Sequence, residues 1–305
     1  MLDVARTVET PRLDFLQKGM RLITLACLLF SPGSLYGQCE RGSGPQLDRS
    51  RPVPAKADVL TAWRRRQSAI HSFRFEWTEE QTQPRGWIAN PRYAERERLA
   101  APSLEDRHYV VTKTLAVSRD SMHYSYTLDR RAEGDTTGNS DRRHYSYTYE
   151  SVFDGRRNIA RATSLGDTPA TVIQTNDNRD AQDLDTRAIL LALRPLDPVL
   201  GDLLVDRAVP NLSRTIYRGR STFLLEERRD PLGWKTILWI EPEREFLVSR
   251  LVLMFENTCV VDMDIDYMRD ARYGWIPMGW RVTELLADGS RRLLSTARVS
   301  NHAIE

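Results

Sequence analysis

The sequence predicts a mainly β protein with a few helices. The expected form is a single strongly curved antiparallel sheet, an unclosed half-barrel, with helices covering its concave face. Three observations predict it. The C-terminal third divides into seven period-2 segments separated by turn signals at even spacing. Helical spacing is confined to one segment near residue 60 and a close pair near residues 184–205. The composition, 41% hydrophobic and 28% charged over 305 residues, is that of a globular chain able to bury a sizeable core.

Charge narrows the function classes. The 44 basic and 42 acidic residues leave a formal net charge of +2, without the basic excess of a nucleic-acid binder, so no nucleic-acid partner is expected. Arginine supplies nearly all the positive charge. The only lysines are Lys18, Lys56, Lys113 and Lys235, which reads as coding bias in a GC-rich genome.

Residues 1–37 read as a secretory signal. Lys18 and Arg21 precede an apolar run over residues 22–30, and Ser31, Pro32, Gly33 and Ser34 follow it. That run is too short to span a bilayer, which needs about 20 residues. Cleavage after Gly37 leaves Leu35 at the −3 position, whereas cleavage after Gly33 places Ser31 there. Asp3, Glu9 and Asp14 are foreign to a basic leader, so Met20 is expected to be the true start. The expected location is therefore the periplasm or the exterior. Gln38 before Cys39 is not the small residue that a lipid anchor requires, so no anchor is expected there. Cys39, in a polar tail, and Cys259, in an apolar strand, are expected to be free thiols.

Residues 38–55, rich in Gly, Pro, Ser and Arg, read as a disordered lead-in to a single domain over 56–305. Asp58 is placed to N-cap a helix running to about Ser68. Val59, Leu60, Trp63, Gln67 and Ile70 mark its inner face, and Arg64, Arg65 and Arg66 a solvated one. The period then changes to two. Phe73, Phe75 and Trp77 alternate with Arg74 and Glu76, and further strands are expected at 92–100 and 107–117.

His123-Tyr-Ser-Tyr-Thr127 recurs as His144-Tyr-Ser-Tyr-Thr148, with turn chemistry between the copies. A hairpin of symmetric register would pair Tyr124 with Tyr147 and Tyr126 with Tyr145. It would also set each histidine opposite a threonine, too far apart for a metal pair. A turn at Phe153-Asp154-Gly155 leads to strands near 157–164 and 170–175. Residues 176–180 look like a calcium loop, but Ala181 replaces its glycine and Arg187 its closing glutamate. Helices are expected over 184–194, ended by Pro195, and over 198–205. Strands then follow at 213–218, 221–229, 234–240, 246–255, 258–268, 276–286 and 291–299.

No reactive motif stands out. The chain has no G-x-S-x-G elbow, no H-E-x-x-H pattern and no Gly-rich phosphate loop after a strand. Asp262, Asp264 and Asp266 share one strand face. They read either as a divalent-cation or catalytic carboxylate set, or as a wet sheet face paired with arginines, and the abundance of arginine favours the second. The remaining signal is apolar. Stripes run through Phe73, Phe75 and Trp77; through Ile237 and Trp239 or Leu238 and Ile240; through Leu251, Leu253 and Phe255; and through Val261, Met263 and Ile265. Burying each large side chain is worth about 1.5–3 kcal/mol. The helices either fill the concave side as core or leave an apolar cavity there. The candidate cavity residues are Phe73, Phe75, Trp77, Trp239, Leu251, Leu253 and Met263 of the sheet, with Leu190 and Leu193 of the plug.

The order of these segments resembles the exported LolA-like superfamily. The residues that carry the likeness are Asp58-Val-Leu-Thr-Ala-Trp-Arg-Arg-Arg-Gln67, Phe73-x-Phe75-x-Trp77, Phe153-Asp-Gly155 and Ile237-Leu-Trp-Ile-Glu-Pro-Glu243. Arg250-Leu251, the Asp262–Tyr267 strand, Trp275-Ile-Pro277 and Trp280 complete it. That superfamily includes periplasmic lipoprotein carriers, mycobacterial lipoprotein lipid carriers and the regulator RseB. The likeness is strongest to members from Planctomycetes-type bacteria. It implies an unclosed antiparallel β-barrel with a helical plug and a non-enzymatic role without cofactor or metal. The implied partner is a lipid or lipoprotein acyl chain, held by a monomer with peripheral contact to a membrane. In the manner of RseB, it would instead be an envelope protein.

Overall fold

The computed structural model describes residues 52–83, 107–130, 145–164, 171–175, 184–196, 212–226, 233–255, 258–285 and 291–305. All lie in one unit, Gly37–Glu305. The signal segment with Cys39, the expected strand at 92–100, the His144 end of the echo, the calcium-like stretch and the helix at 198–205 fall outside the described residues.

Helix α1 spans Lys56–Ala69. Its N-cap is Ala55, not Asp58. Asp58 stands at the third helical position, and its carboxylate accepts the Ala55 N–H at 2.9 Å. The acid thus caps from within the first turn, where the helix dipole favours negative charge. Val59 and Trp63 are buried as expected, but so is Arg66, while Arg64 and Arg65 stay exposed.

Strands β1 (Ser72–Gln83), β2 (Arg107–Ser118), β3 (Ser121–Arg130), β4 (Tyr145–Phe153), β5 (Asn158–Ser164) and β6 (Thr171–Thr175) form one wing of the sheet. Helix α2, Leu184–Leu193, follows. The other wing comprises β7 (Ser213–Tyr217), β8 (Arg220–Glu226), β9 (Trp234–Glu241), β10 (Leu247–Phe255), β11 (Thr258–Asp270), β12 (Gly274–Leu285) and β13 (Arg291–Ile304). The sheet has 13 antiparallel strands in the order β6-β5-β4-β3-β2-β1-β13-β12-β11-β10-β9-β8-β7, not closed into a barrel. The wings meet where β1 pairs with β13, with Phe73 opposite Ile304 and Thr82 opposite Leu294.

Turn chemistry places the strands. Arg218 and Gly219, both at positive φ, make the two-residue loop between β7 and β8; such a loop follows the strand twist only if both residues can enter the left-handed region. In the 153–158 turn, the Asp154 carboxylate accepts the Arg156 and Arg157 N–H groups at 2.8 and 2.7 Å, which holds it below the ordinary carboxylate range. At Gly279 on β12 the reason is close approach, since a Cβ there would stand 2.7 Å from the Ala297 carbonyl oxygen of β13.

The β3–β4 hairpin departs from the symmetric register. Tyr126 pairs with Tyr149 and Leu128 with Tyr147, while Tyr124 lies opposite Ser151 and His123 opposite Val152. The slip from the expected pairing is an even number of residues, so every side chain keeps its face. It also sets Met122 opposite Phe153, and both are buried. Local repetition could not register that distant gain. His123 contacts Glu150 at 3.0 Å.

One hydrophobic core spans both wings and α2. On α2, residues Ala188 through Leu193 are all buried, so the C-terminal half of this helix is enclosed on every side, while Leu184 and Arg187 nearer its start are half-buried. Helix α1 holds its C-terminal end. Arg66 donates to the Ala192 carbonyl at 3.4 Å, and Gln67 Oε1 accepts the Leu196 N–H at 3.0 Å. Carbonyls left over at a helix C-terminus are a natural seat for such a guanidinium.

Candidate functional site

The face of the sheet toward α2 carries most of the expected apolar residues. Phe73, Phe75 and Trp77 on β1, Leu251 on β10, Met263 on β11, and Leu190 and Leu193 on α2 are all buried in the one core. Leu253 packs against that core and is half-buried. Trp239 does not join them. Leu238 and Ile240 occupy the core face of β9, and alternation puts Trp239 on the outer face, half-buried.

Across the seam an aromatic series connects the wings. The Trp77 and Trp280 ring centroids lie 5.4 Å apart, edge to face at 61°. Trp77 stacks on Tyr124 at 6.2 Å, Tyr124 meets Tyr149 at 6.2 Å, and Tyr149 stacks on Tyr126 at 5.1 Å. Such pairs add about 0.5–1.5 kcal/mol each beyond the area they bury.

A polar centre lies within this apolar series. Glu79 on β1 and Lys113 on β2 are both buried, and they form an ion pair at 2.5 Å. Gln81 donates to the other Glu79 oxygen at 2.7 Å. Burial alone would raise the Glu79 pKa. The Lys113 ammonium and the hydrogen bonds from Lys113, Gln81 and Ser295 outweigh it and hold the carboxyl below its ordinary value of 4.5. The geometry therefore keeps Glu79 ionised inside the core. Lys113 also lies over the Tyr126 ring, 5.8 Å from its centroid.

The sequence reading missed this pair, though the signal was present. Glu79 continues the parity of Phe73, Phe75 and Trp77, and Lys113 shares that of Val111 and Leu115. Opposite charges on the apolar faces of two strands are a mark of a buried pair. The indole N–H groups of Trp77 and Trp280 belong to the same region. Both rings are fully buried, and neither Nε1 has a hydrogen-bond partner among the described residues. Leaving a buried donor unpaired costs about 1–3 kcal/mol.

On the outer face, Asp262, Asp264 and Asp266 are engaged by basic side chains. Arg250 donates through Nε and Nη2 to the two Asp262 oxygens at 2.7 and 2.5 Å. Arg218 contacts Asp264 at 3.2 Å and Asp266 at 2.8 Å, and the Tyr217 hydroxyl donates to Asp264. Residues of the β7–β8 turn thus reach across β9 and β10 to β11. The Arg250 guanidinium also lies 4.7 Å from the Trp239 ring centroid and 5.3 Å from that of Tyr217. Burial, then the bond to Asp264, raises the Tyr217 pKa. Arginine pairing of the three carboxylates is the arrangement found. Among the described residues, no group of three or more His, Cys, Asp or Glu side chains is placed to hold a metal ion.

A third feature is an open groove of about 540 Å³ lined by Glu243, Glu245, Arg269, Asp270, Ala271, Gly274 and Trp275. Arg244 covers the Trp275 ring at 4.4 Å. Among the described residues, no helix is long and apolar enough to cross a membrane.

No known protein family matches the chain, and no curated protein matches it. Among solved structures it is similar to a DUF1329 family protein from Desulfovibrio piger, at 12% identity and a TM-score of 0.47, over 83% of this chain and 94% of that one. It is also similar to a LolA superfamily protein from Nitrosomonas europaea, at 11% identity and a TM-score of 0.43, over 83% and 94%. A third is MucB in complex with MucA(peri), at 10% identity and a TM-score of 0.21, over 80% and 93%.

Proposed function

We propose that this chain is an exported, non-enzymatic binding protein that holds an apolar ligand, a lipid or lipoprotein acyl chain, between the curved sheet and α2. The observation that carries this reading is the extent of the apolar face. Aromatic and aliphatic side chains line it from β3 through the β1–β13 seam to β8, on both sides of the Glu79–Lys113 pair, and the buried Ala188–Leu193 half of α2 packs in the same core. The contact residues in this reading are Phe73, Phe75, Trp77, Leu251, Leu253 and Met263 on the sheet, with Leu190 and Leu193 on the helix. Trp239, on the outer face, has no part in it. Entry of the chain requires α2 to lift from β10 and β12, with α1 holding its C-terminal end.

The test is mass spectrometry of the protein purified without detergent from a bacterial periplasm, recorded natively and after organic extraction. A stoichiometric lipid lost on extraction is the expected result. A ligand-free mass in both spectra would overturn it. One observation favours a second reading, that of an envelope interaction module with a filled core: Phe73, Phe75, Trp77, Leu251, Met263, Leu190 and Leu193 are all packed out of solvent. A protein partner co-purifying in fixed ratio, with no lipid in the extract, would establish that alternative.

A further inference from the structure

A purely hydrocarbon ligand leaves one feature of the core face unused. Buried tryptophans usually hydrogen-bond their indole N–H, and Trp63 does so, donating to the Phe246 carbonyl at 2.7 Å. Trp77 and Trp280 are the exceptions. Their rings touch, they are 0% and 1% exposed, and neither N–H meets an acceptor among the described residues. They stand beside the Glu79–Lys113 pair. Lys113 is directly opposite Trp77 in the β1–β2 register, and Glu79 and Trp280 both pair with Ala297 of β13 from its two sides. A small residue thus separates Glu79 from Trp280 in that row. The neighbouring cation, Lys113, is already neutralised by Glu79 at 2.5 Å.

We propose that the two indole N–H groups form the polar subsite of the acyl ligand and accept an uncharged oxygen, the carbonyl of an ester or amide. The inference rests on the apolar-ligand reading above and names the ligand class within it. Two neutral donors beside a charge-balanced pair suit a carbonyl. A carboxylate would bring an unbalanced charge into the core, which is far costlier to bury. The hydrocarbon tail then lies along the apolar face on either side, and the head is fixed at the seam.

The test uses the full chain, delipidated and equilibrated with an equimolar mixture of methyl palmitate, palmitate and octadecane. The protein is passed through gel filtration, and the bound species are extracted and quantified by gas chromatography. Enrichment of the ester over octadecane by about tenfold or more is expected, with palmitate below the ester. Trp77→Phe and Trp280→Phe keep a ring and remove the donor; each is expected to lower the ester-to-octadecane ratio toward one. Should either variant fail to fold by circular dichroism, NMR of the wild-type indole N–H groups replaces it. Two buried resonances should move downfield with methyl palmitate and stay in place with octadecane. Equal uptake of ester and octadecane would overturn the subsite and leave the apolar-ligand reading standing. So would an ester preference untouched by the Phe variants, or a preference for palmitate. Uptake of none of the three would overturn both.

Discussion

The two wings of the sheet are built differently. From β1 to β6 every strand pairing runs without a register shift. From β9 through β13 to β1, each pairing carries one. Bulges bend a strand and sharpen its twist, and the second stretch holds β10 and β12, the strands against which α2 packs. Burial follows the same division. On β10, Leu247 through Val252 are buried on both faces, and charge on the outer side is met by ion pairs such as Arg250–Asp262. On the regular wing the outer face is left to solvent, with Val110, Val152 and Ile159 at 57%, 46% and 51% exposure. On its outer face the bulged wing therefore depends on specific partners, whereas the outer face of the regular wing needs only alternation.

The core face sets the exception to this contrast, because the regular wing carries its own specific pair next to the seam, and the largest effect is expected there. Glu79→Gln leaves the Lys113 ammonium buried without its counter-charge. It should cost about 3–5 kcal/mol in urea unfolding, and adding Lys113→Met should recover most of it. The pair also sets a pH dependence. The Glu79 pKa is depressed in the folded state, so its stabilisation is complete above the ordinary value of 4.5 and is lost as pH falls below it. Melting temperature should drop with acidification through that range, and less steeply in Glu79→Gln. An unchanged pH profile in that variant would place the acid sensitivity elsewhere.

Next come the three aspartates, which should separate by burial. Asp262→Asn weakens a two-point bond to a buried guanidinium and should cost about 1.5–3 kcal/mol. Asp266 is exposed, and Asp266→Asn should cost less than about 0.5 kcal/mol. Equal losses at the two positions would mean that the outer face of the bulged wing is no drier than that of the regular wing.

Gly279→Ala tests close packing in the bulged wing. The new Cβ would meet backbone rather than a side-chain tip, so a loss of about 1–3 kcal/mol is expected by thermal denaturation. The smallest effect belongs to the regular wing. Val152→Thr and Ile159→Thr, adjacent in register on its outer face, should each stay within about 0.5 kcal/mol of wild type. A larger loss there would show that this face is covered as well.

Much of the architecture was legible because it is periodic. The alternation of Phe73, Phe75 and Trp77, the helical spacing of Val59 and Trp63, and turns such as Phe153-Asp154-Gly155 are local properties, decided by backbone geometry within a few residues. They determine the strands, the helices and which side chains share a face. They do not determine which face is dry. On β9 the sequence allowed Trp239 or Leu238 and Ile240 to point inward, and burial in the common core selected the latter two. Nor do they determine long-range pairing. The slip that joins Tyr126 to Tyr149, the burial of Arg66 against the end of α2, the contacts of Arg218 with β11 and the Glu79–Lys113 pair each join residues distant in sequence. Their energies come from desolvation and charge balance, which exist only once the wings have met. Alternation thus belongs to the sequence alone. The placement of charge inside the core was decided by the tertiary structure, because a buried ion is stable only where its partner also arrives.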